Sequence, residues 1–366
     1  MKNNIILFII LSLFLGCSQD SNQNLSSGNS KKPEKKPIEF YGNTQGTTYA
    51  VICNDQIELT HQEIDNTLAG FDLYLSSYIP NSVLSKLNAA PAGQFTYVDS
   101  FNYFNRCLSQ SLEIFNLTNG AFDPSVYPLV DGWGFMKDVE NVPDSTVIAS
   151  LLSLVGFQNG YHFSYFPSWA DSTLEKSTIT KNTPQAKLDF NAIAQGLSVD
   201  VLCELLDQKG AHNYFVEIGG EIRVKGLNKE GQQWRIGIDK PIEKSTPQNR
   251  ELQEIIRLDN KAIATSGSYR KFYEKNGVKY SHTLNPKTGH PVTHSLLSAT
   301  VVASNCALAD GLATAFMVMG PEESVNFIKS EKIKGIDVYL IFYNTKGRVE
   351  TYYTQGFKNL IVSEND

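Results

Sequence analysis

Tyr214-Phe215-Val216-Glu217-Ile218-Gly219-Gly220-Glu221-Ile222-Arg223-Val224-Lys225 decides the fold class. Two runs rich in β-branched and aromatic residues are set apart by glycines, which predicts neighbouring strands joined by a turn. Further β-rich segments follow at Trp234 to Ile238 and Ile255 to Leu258, separated by Gly and charged turns. Such a meander predicts antiparallel sheet. C-terminal to it comes a β-α-β passage: a strand over 296–303, a helix over 306–319, and strands near 337–343 and 348–353. N-terminal to it the chain alternates a helix near 145–155, short strands up to about 181, and a helix from roughly 191 to 208.

Working back to the start, a strand over Thr47 to Cys53 leads into Thr60-His61-Gln62-Glu63, a capping box, and then Ile64, Leu68, Phe71 and Leu75 at helical spacing. Asp99 is expected to cap a second helix, with Phe101, Phe104, Leu108, Leu112 and Phe115 on one face and Asn119-Gly120 as its stop. These phenylalanines read as core. Residues 121–135 read as loop. No repeat or second linker interrupts residues 38–366, so the expectation is a single α+β domain of largely antiparallel sheet flanked by helices.

The 366-residue chain, 41% hydrophobic and 11% aromatic, has enough apolar content for a sizeable core. A formal charge of -6, from 32 Lys+Arg against 38 Asp+Glu, offers no broad basic surface and argues against a nucleic-acid partner. Lys2 followed by the mostly apolar run Ile5 to Leu15 is too short to span a bilayer and reads as an export signal, residues 1–16. Gly16-Cys17 resembles a bacterial lipoprotein processing site, although Phe14 replaces the usual smaller aliphatic residue. Lipidation at Cys17 and a polar, proline-interrupted tether over 17–37 are therefore expected, with the protein exported and membrane-anchored, facing the periplasm or cell exterior. Cys53, Cys107, Cys203 and Cys306 show no zinc-type spacing and are expected to be buried free thiols.

Three stretches offer chemistry. In Asn305-Cys306-Ala307-Leu308-Ala309-Asp310-Gly311-Leu312-Ala313-Thr314-Ala315, Asn305 can cap a helix that projects the Asp310 carboxylate and the Thr314 hydroxyl from one face, one turn apart. That pair suits either a hard cation such as magnesium or a carboxylate bonded to its own helix. Small residues where a helix begins, in Asp189-Phe190-Asn191-Ala192-Ile193-Ala194-Gln195-Gly196-Leu197-Ser198-Val199-Asp200, suit either phosphate at the helix N-terminus or close packing on a sheet. In Ser281-His282-Thr283-Leu284-Asn285-Pro286-Lys287-Thr288-Gly289-His290-Pro291, His282 is either a general base or anion ligand, or a structural histidine. Ala264-Thr265-Ser266-Gly267-Ser268-Tyr269-Arg270 either contacts phosphate or makes a polar turn. Ser268 to Lys271 and Lys287 to Gly289 match SxxK and KTG, but only fifteen residues separate them and no SDN element is present, so a penicillin-recognising enzyme is excluded.

Taken in order, these segments resemble the FAD:protein FMN transferases, the ApbE-type flavin transferases, from about residue 44 to 350. The likeness is carried by Gln45-Gly46-Thr47-Thr48-Tyr49, Leu75 to Ser82 with Leu87-Asn88, Thr118-Asn119-Gly120-Ala121-Phe122-Asp123-Pro124, Asp189 to Asp200, Ile218-Gly219-Gly220-Glu221, Ala264 to Gly267, His282 to Gly289, and the Asp310/Thr314 helix. The resemblance implies magnesium held by the Ala194 carbonyl, Asp310 and Thr314, with FAD phosphates completing the shell. It implies FAD contacts at Gln45, Tyr78, Ala121, Phe122, Asp123, Asn191, Leu197 and Leu284, with Tyr78 packing on the flavin and His282 assisting proton transfer or binding phosphate. Gln45 and Gln195 depart from the Met and Lys common in the family. The implied reaction is attack of an acceptor Ser or Thr hydroxyl on the FMN phosphorus of FAD, with release of AMP; the implied acceptor is an exported domain of a redox-driven membrane complex. Water as acceptor would make the same site an FAD pyrophosphatase, and binding without turnover a flavin-holding lipoprotein.

Overall fold

The computed structural model describes residues 36–135, 142–158, 161–165, 176–242, 251–268, 272–275, 278–330 and 332–363. The expected signal peptide, Cys17 and the tether up to residue 35 lie outside the described residues, as do Tyr269 and Arg270. The chain opens with β1 (Ile38–Thr44) and β2 (Thr47–Cys53), then α1 (His61–Leu75), α2 (Val83–Ala89), β3 (Gly93–Val98) and α3 (Tyr103–Leu117). A 3-10 turn (Pro124–Val126) leads into α4 (Tyr127–Gly132), α5 (Ser145–Leu152), β4 (Phe163–Tyr165), β5 (Lys176–Lys181) and α6 (Ala194–Gln208). Next come β6 (Tyr214–Ile218), β7 (Glu221–Lys225), β8 (Trp234–Asp239), β9 (Leu252–Leu258), β10 (Lys261–Gly267), β11 (Phe272–Lys275) and β12 (Val278–Ser281). The chain closes with β13 (Leu296–Ala303), α7 (Cys306–Lys329), β14 (Asp337–Tyr343), β15 (Val349–Tyr353) and α8 (Gln355–Lys358).

Eight strands form one sheet in the order β1-β2-β6-β7-β10-β13-β14-β15, and each neighbouring pair is antiparallel. The α+β expectation holds. The expected meander does not continue past β7, however. Its next neighbour is β10, while β8 and β9 pair with each other as a separate ribbon, which β9 extends by a bridge from Ile256 to Ile361. Alternation along the strands explains this. Ile263, Val302 and Ile341 point to one face and meet Trp234, Ile236, Ile256 and Phe357 from the ribbon and α8. Ala264, Ala299, Val301, Ala303 and Leu340 point to the other face, under α7 and the helices around it. The ribbon is thus a cover for the sheet, not part of it.

Local signals fixed the starts of α1 and α7. Thr60 and Glu63 form the expected reciprocal box, with Glu63 N–H donating to Thr60 Oγ1 (3.2 Å) and Thr60 N–H to Glu63 Oε2 (2.9 Å). Asp99 does bind the start of α3, accepting from the Tyr103 and Asn105 N–H groups at 2.9 and 2.8 Å. The helix nevertheless begins four residues later, after Asn102 in a left-handed conformation, so Phe101 precedes it and is exposed, contrary to its expected core position. The span 121–135 also differs from the expected loop, because Asp123 caps the 3-10 turn and Pro128 sits in the first turn of α4. All four cysteines of the domain are buried and free, as expected.

Helix α7 runs past the expected end at 319 because it contains a break rather than a stop. Antiparallel pairing of β13 with β14 requires the chain to re-enter the sheet where it left. Gly320 (φ 79°, ψ 177°) followed by Pro321 redirects the helix there. Pro321 has no N–H, so the Met317 carbonyl four residues back lacks a helical donor. His294 supplies it, with Nε2 at 2.8 Å from that oxygen, while Nδ1 accepts from Leu296 N–H at 3.3 Å. A side chain at 320 would meet the His294 ring at 2.7 Å.

Nδ1 can accept the Leu296 N–H only while the imidazole is neutral, and burial lowers the His294 pKa below its ordinary value. A depressed pKa means this contribution is complete above about pH 6.5 and is lost as pH falls through the folded-state value. The urea midpoint of the wild type is expected to fall more steeply between pH 7 and pH 5 than that of His294→Gln, and equal slopes would contradict the assignment.

Candidate active site

The site is organised where the first turns of α6 and α7 meet. A Cβ on Gly196 would lie 2.5 Å from the Cys306 carbonyl oxygen, so only glycine allows this approach. Small residues on α7 (Ala307, Ala309, Ala313, Ala315) share one core with small residues of the sheet (Ala264, Ala299, Ala303), while Gly311 leaves room for Ile114 of α3 and for Phe122. Asp310 is thereby drawn inside, 6% exposed. Its Oδ2 accepts from Gly196 N–H at 3.1 Å, so it bonds not its own helix but the start of α6. Burial pushes its pKa up to about 7, with the Gly196 bond opposing. One turn on, the Thr314 hydroxyl lies 3.2 Å from Ser266 Oγ on β10.

Among the described residues Asp310 makes that single hydrogen bond, leaving Oδ1 without one. No three His, Cys, Asp or Glu side chains cluster as metal ligands among the described residues. The oxygen groups brought together at the helix crossing are therefore the Asp310 carboxylate and the Thr314 hydroxyl, and Ala194 opens α6 two residues before Gly196. Such a sparse, all-oxygen set fits magnesium, which takes few protein ligands and keeps places for phosphate and water.

Four other segments converge on this crossing. Gln45, at φ 49° in the two-residue turn between β1 and β2, spans α1 and α6: its Nε2 donates to Asp72 Oδ1 (3.1 Å), and its Oε1 lies 3.3 Å from Ser198 Oγ. Leu197 is fully buried beneath. Tyr78 stands exposed, and Asn191 N–H donates to Asp189 Oδ1 at 2.8 Å. Ala121 and Phe122 are buried, and the Phe122 ring would lie 3.6 Å from a Cβ on Gly311. Asp189 N–H donates to the Pro124 carbonyl (2.7 Å), tying the 121–124 turn to the approach of α6. Asp123 faces inward: Oδ1 accepts from Ser125 N–H and Oγ, Oδ2 from Phe157 N–H, and burial raises its pKa to about 6.

The His282 loop is anchored separately. His282 is exposed beyond the end of β12, whereas Leu284 is buried with Leu129, Trp133 and Ile148. Trp133 Nε1 donates to the Gly289 carbonyl at 2.7 Å, fixing the loop to α4. A cavity of ≈ 420 Å³ lined by Asn119, Gly120, Asp123, Pro286 and Lys287 lies between this loop and the 119–123 turn.

Several participants were not legible in the sequence. Ser266, expected in a polar turn or on a phosphate, is in a central strand and orients Thr314. Asn88 clamps the segment before α6, with Nδ2 donating to Leu188 O and Oδ1 accepting from Leu188 N–H, both at 2.8 Å. These partners lie 48 and 100 residues apart, beyond any local signal.

A family model described as the ApbE family matches residues 45–340. The chain belongs to the ApbE family. A curated relative from Haemophilus influenzae, named FAD:protein FMN transferase, is 36% identical over 335 residues, spanning 89% of this chain and 92% of the relative. Another of the same name from Vibrio cholerae is 33% identical over 368 residues and 98% of each chain. The solved structure of the flavin transferase ApbE from Vibrio cholerae superposes with a TM-score of 0.76 at 34% identity, covering 89% of this chain and 99% of that one. The largely antiparallel sheet and flanking helices are thus the ApbE fold.

The crossing makes a direct prediction for this ApbE chain. Gly196→Ala would drive a methyl into backbone, which cannot swing aside, and is expected to destabilise by at least about 2 kcal/mol in urea unfolding. A neutral effect would mean that the helices do not approach this closely.

Proposed function

We propose that the chain is a magnesium-dependent flavin transferase that cleaves FAD and joins FMN through a phosphoester to a Ser or Thr of an acceptor protein. The observation that carries the reading is the buried, under-satisfied Asp310 beside Thr314 at the start of α6, in a chain whose relatives are named FAD:protein FMN transferase. Asp310, Thr314 and the Ala194 carbonyl would hold the metal. When bound, magnesium supplies charge neutralisation at the diphosphate.

The chain's own residues do the positioning. Tyr78, exposed on a turn whose backbone is held by Ser76, offers a ring face to the flavin. Gln45, Asn191, Leu197, Leu284 and the 121–123 turn shape the FAD site. The acceptor hydroxyl oxygen bonds to the FMN phosphorus as the bond from that phosphorus to the AMP oxygen breaks, and the electron pair leaves with AMP. The hydroxyl proton passes to a base, for which exposed His282 is the candidate.

Incubation with FAD, magnesium and an acceptor domain should add the FMN mass to the acceptor and release AMP. Asp310→Ala is expected to slow this by about 100-fold or more, and Thr314→Val by about tenfold. An Asp310→Ala variant working at the normal rate would overturn the assignment. Free FMN and AMP with an unlabelled acceptor would instead identify a pyrophosphatase, and intact FAD a binding protein.

Export and a lipid anchor at Cys17 complete the proposal, supported by Lys2, the apolar run Ile5 to Leu15 and the polar tether. The acceptor would then be an exported domain of a redox-driven membrane complex. Cys17→Ser is expected to move the protein from the membrane to the soluble fraction on cell fractionation; unchanged partitioning would exclude this anchor.

A further inference from the structure

Asp200 belongs to α6 but serves α7. Its fully buried carboxylate accepts from Cys306 N–H, 3.0 Å from both oxygens, and from Ala307 N–H, 3.0 Å from Oδ2. These are the first two residues of α7, and the third, Leu308, donates to the Asn305 cap at 2.9 Å. Arg223 on β7 pairs with Asp200 Oδ1 at 2.6 Å. In return Asp310, on α7, takes the Gly196 N–H of α6. Each helix thus places a carboxylate on the first turn of the other, so two N-termini of like partial charge meet with a negative group between each and its neighbour.

We propose that Asp200, held by Arg223, is a positioning residue for the metal site: it seats the first turn of α7 on α6 and so sets the spacing between Asp310, Thr314 and the α6 start. The proposal rests on the reading of Asp310 and Thr314 as magnesium ligands. A helix transmits displacement at its first residues along its axis, and Asp310 lies only about 6 Å further on. Without the carboxylate, two buried N–H groups lose their acceptor and Arg223 its partner, and the first turn of α7 must shift to find others. The purely structural alternative costs stability alone and leaves the requirement for magnesium where it was.

The test titrates magnesium into the protein with FAD present, reading flavin binding by fluorescence and the thermal midpoint separately. Asp200→Asn, isosteric but uncharged, is expected to need at least about tenfold more magnesium for half-maximal FAD binding. Arg223→Lys keeps the charge but loses the planar fork, and is expected to need about two- to fivefold more. Phe357→Leu, in the core on the opposite face of the sheet, serves as a destabilised control and is expected to lower the midpoint with no change in the magnesium requirement. A wild-type requirement in Asp200→Asn, or an equal shift in the control, overturns the proposal while leaving the metal reading intact. If Asp200→Asn does not fold, an unchanged requirement in Arg223→Lys overturns it equally. FAD binding indifferent to magnesium in the wild type would remove the metal reading and this proposal with it.

Discussion

The contact between Gly196 on α6 and the Cys306 carbonyl at the start of α7 is the constraint on which the rest of the structure depends. It brings two helix N-termini together inside the protein, where the N–H groups that no helical carbonyl can take are accepted by Asp200, Asn305 and Asp310. The small residues of α7 and of the strands beneath exist to permit that approach. Larger side chains on either would lift α7 off the sheet and separate Asp310 and Thr314 from the first turn of α6.

Burying so many carboxylates near one crossing would be unfavourable if each were left alone. The structure treats them unequally. Asp200 accepts from two N–H groups and an arginine, and Asp123 from two N–H groups and a hydroxyl. Among the described residues Asp310 has one donor, and burial raises its pKa to about 7 against that single bond. The first two are finished by the fold, whereas the third is completed only by something brought to it. That contrast separates scaffold from site more sharply than the presence of acidic residues does.

The same inequality appears in the peripheral elements. The His282 loop is rigidly seated through Leu284 and the Trp133 to Gly289 bond, yet His282 itself is exposed. Tyr78 likewise projects from a turn whose backbone is fixed, with Tyr78 and Ile79 N–H groups both donating to Ser76 Oγ. Exposed functional side chains on well-anchored turns suit a site that must admit a large substrate and a protein acceptor in succession.

Reading the chain alone recovered what short-range physics controls. The capping box of α1, the Asn305 cap, the one-turn spacing of Asp310 and Thr314 and the β-rich composition of β6 and β7 on either side of Gly219-Gly220 all depend on neighbours within a few residues. What it missed depends on distant partners. Ala264-Thr265-Ser266-Gly267 reads as a polar turn or a phosphate contact, and is a central strand because distant β7 and β13 pair with it on either side. Phe101 lost its expected place when Asn102 delayed the helix. Resemblance to a family assigned roles to Asp310, Thr314 and Ala194, but only the folded chain shows why Asp200, Ser266 and Asn88 stand around them. Hydrogen bonds that join residues tens of positions apart leave no periodic trace in a sequence, and these are the bonds that hold the site together.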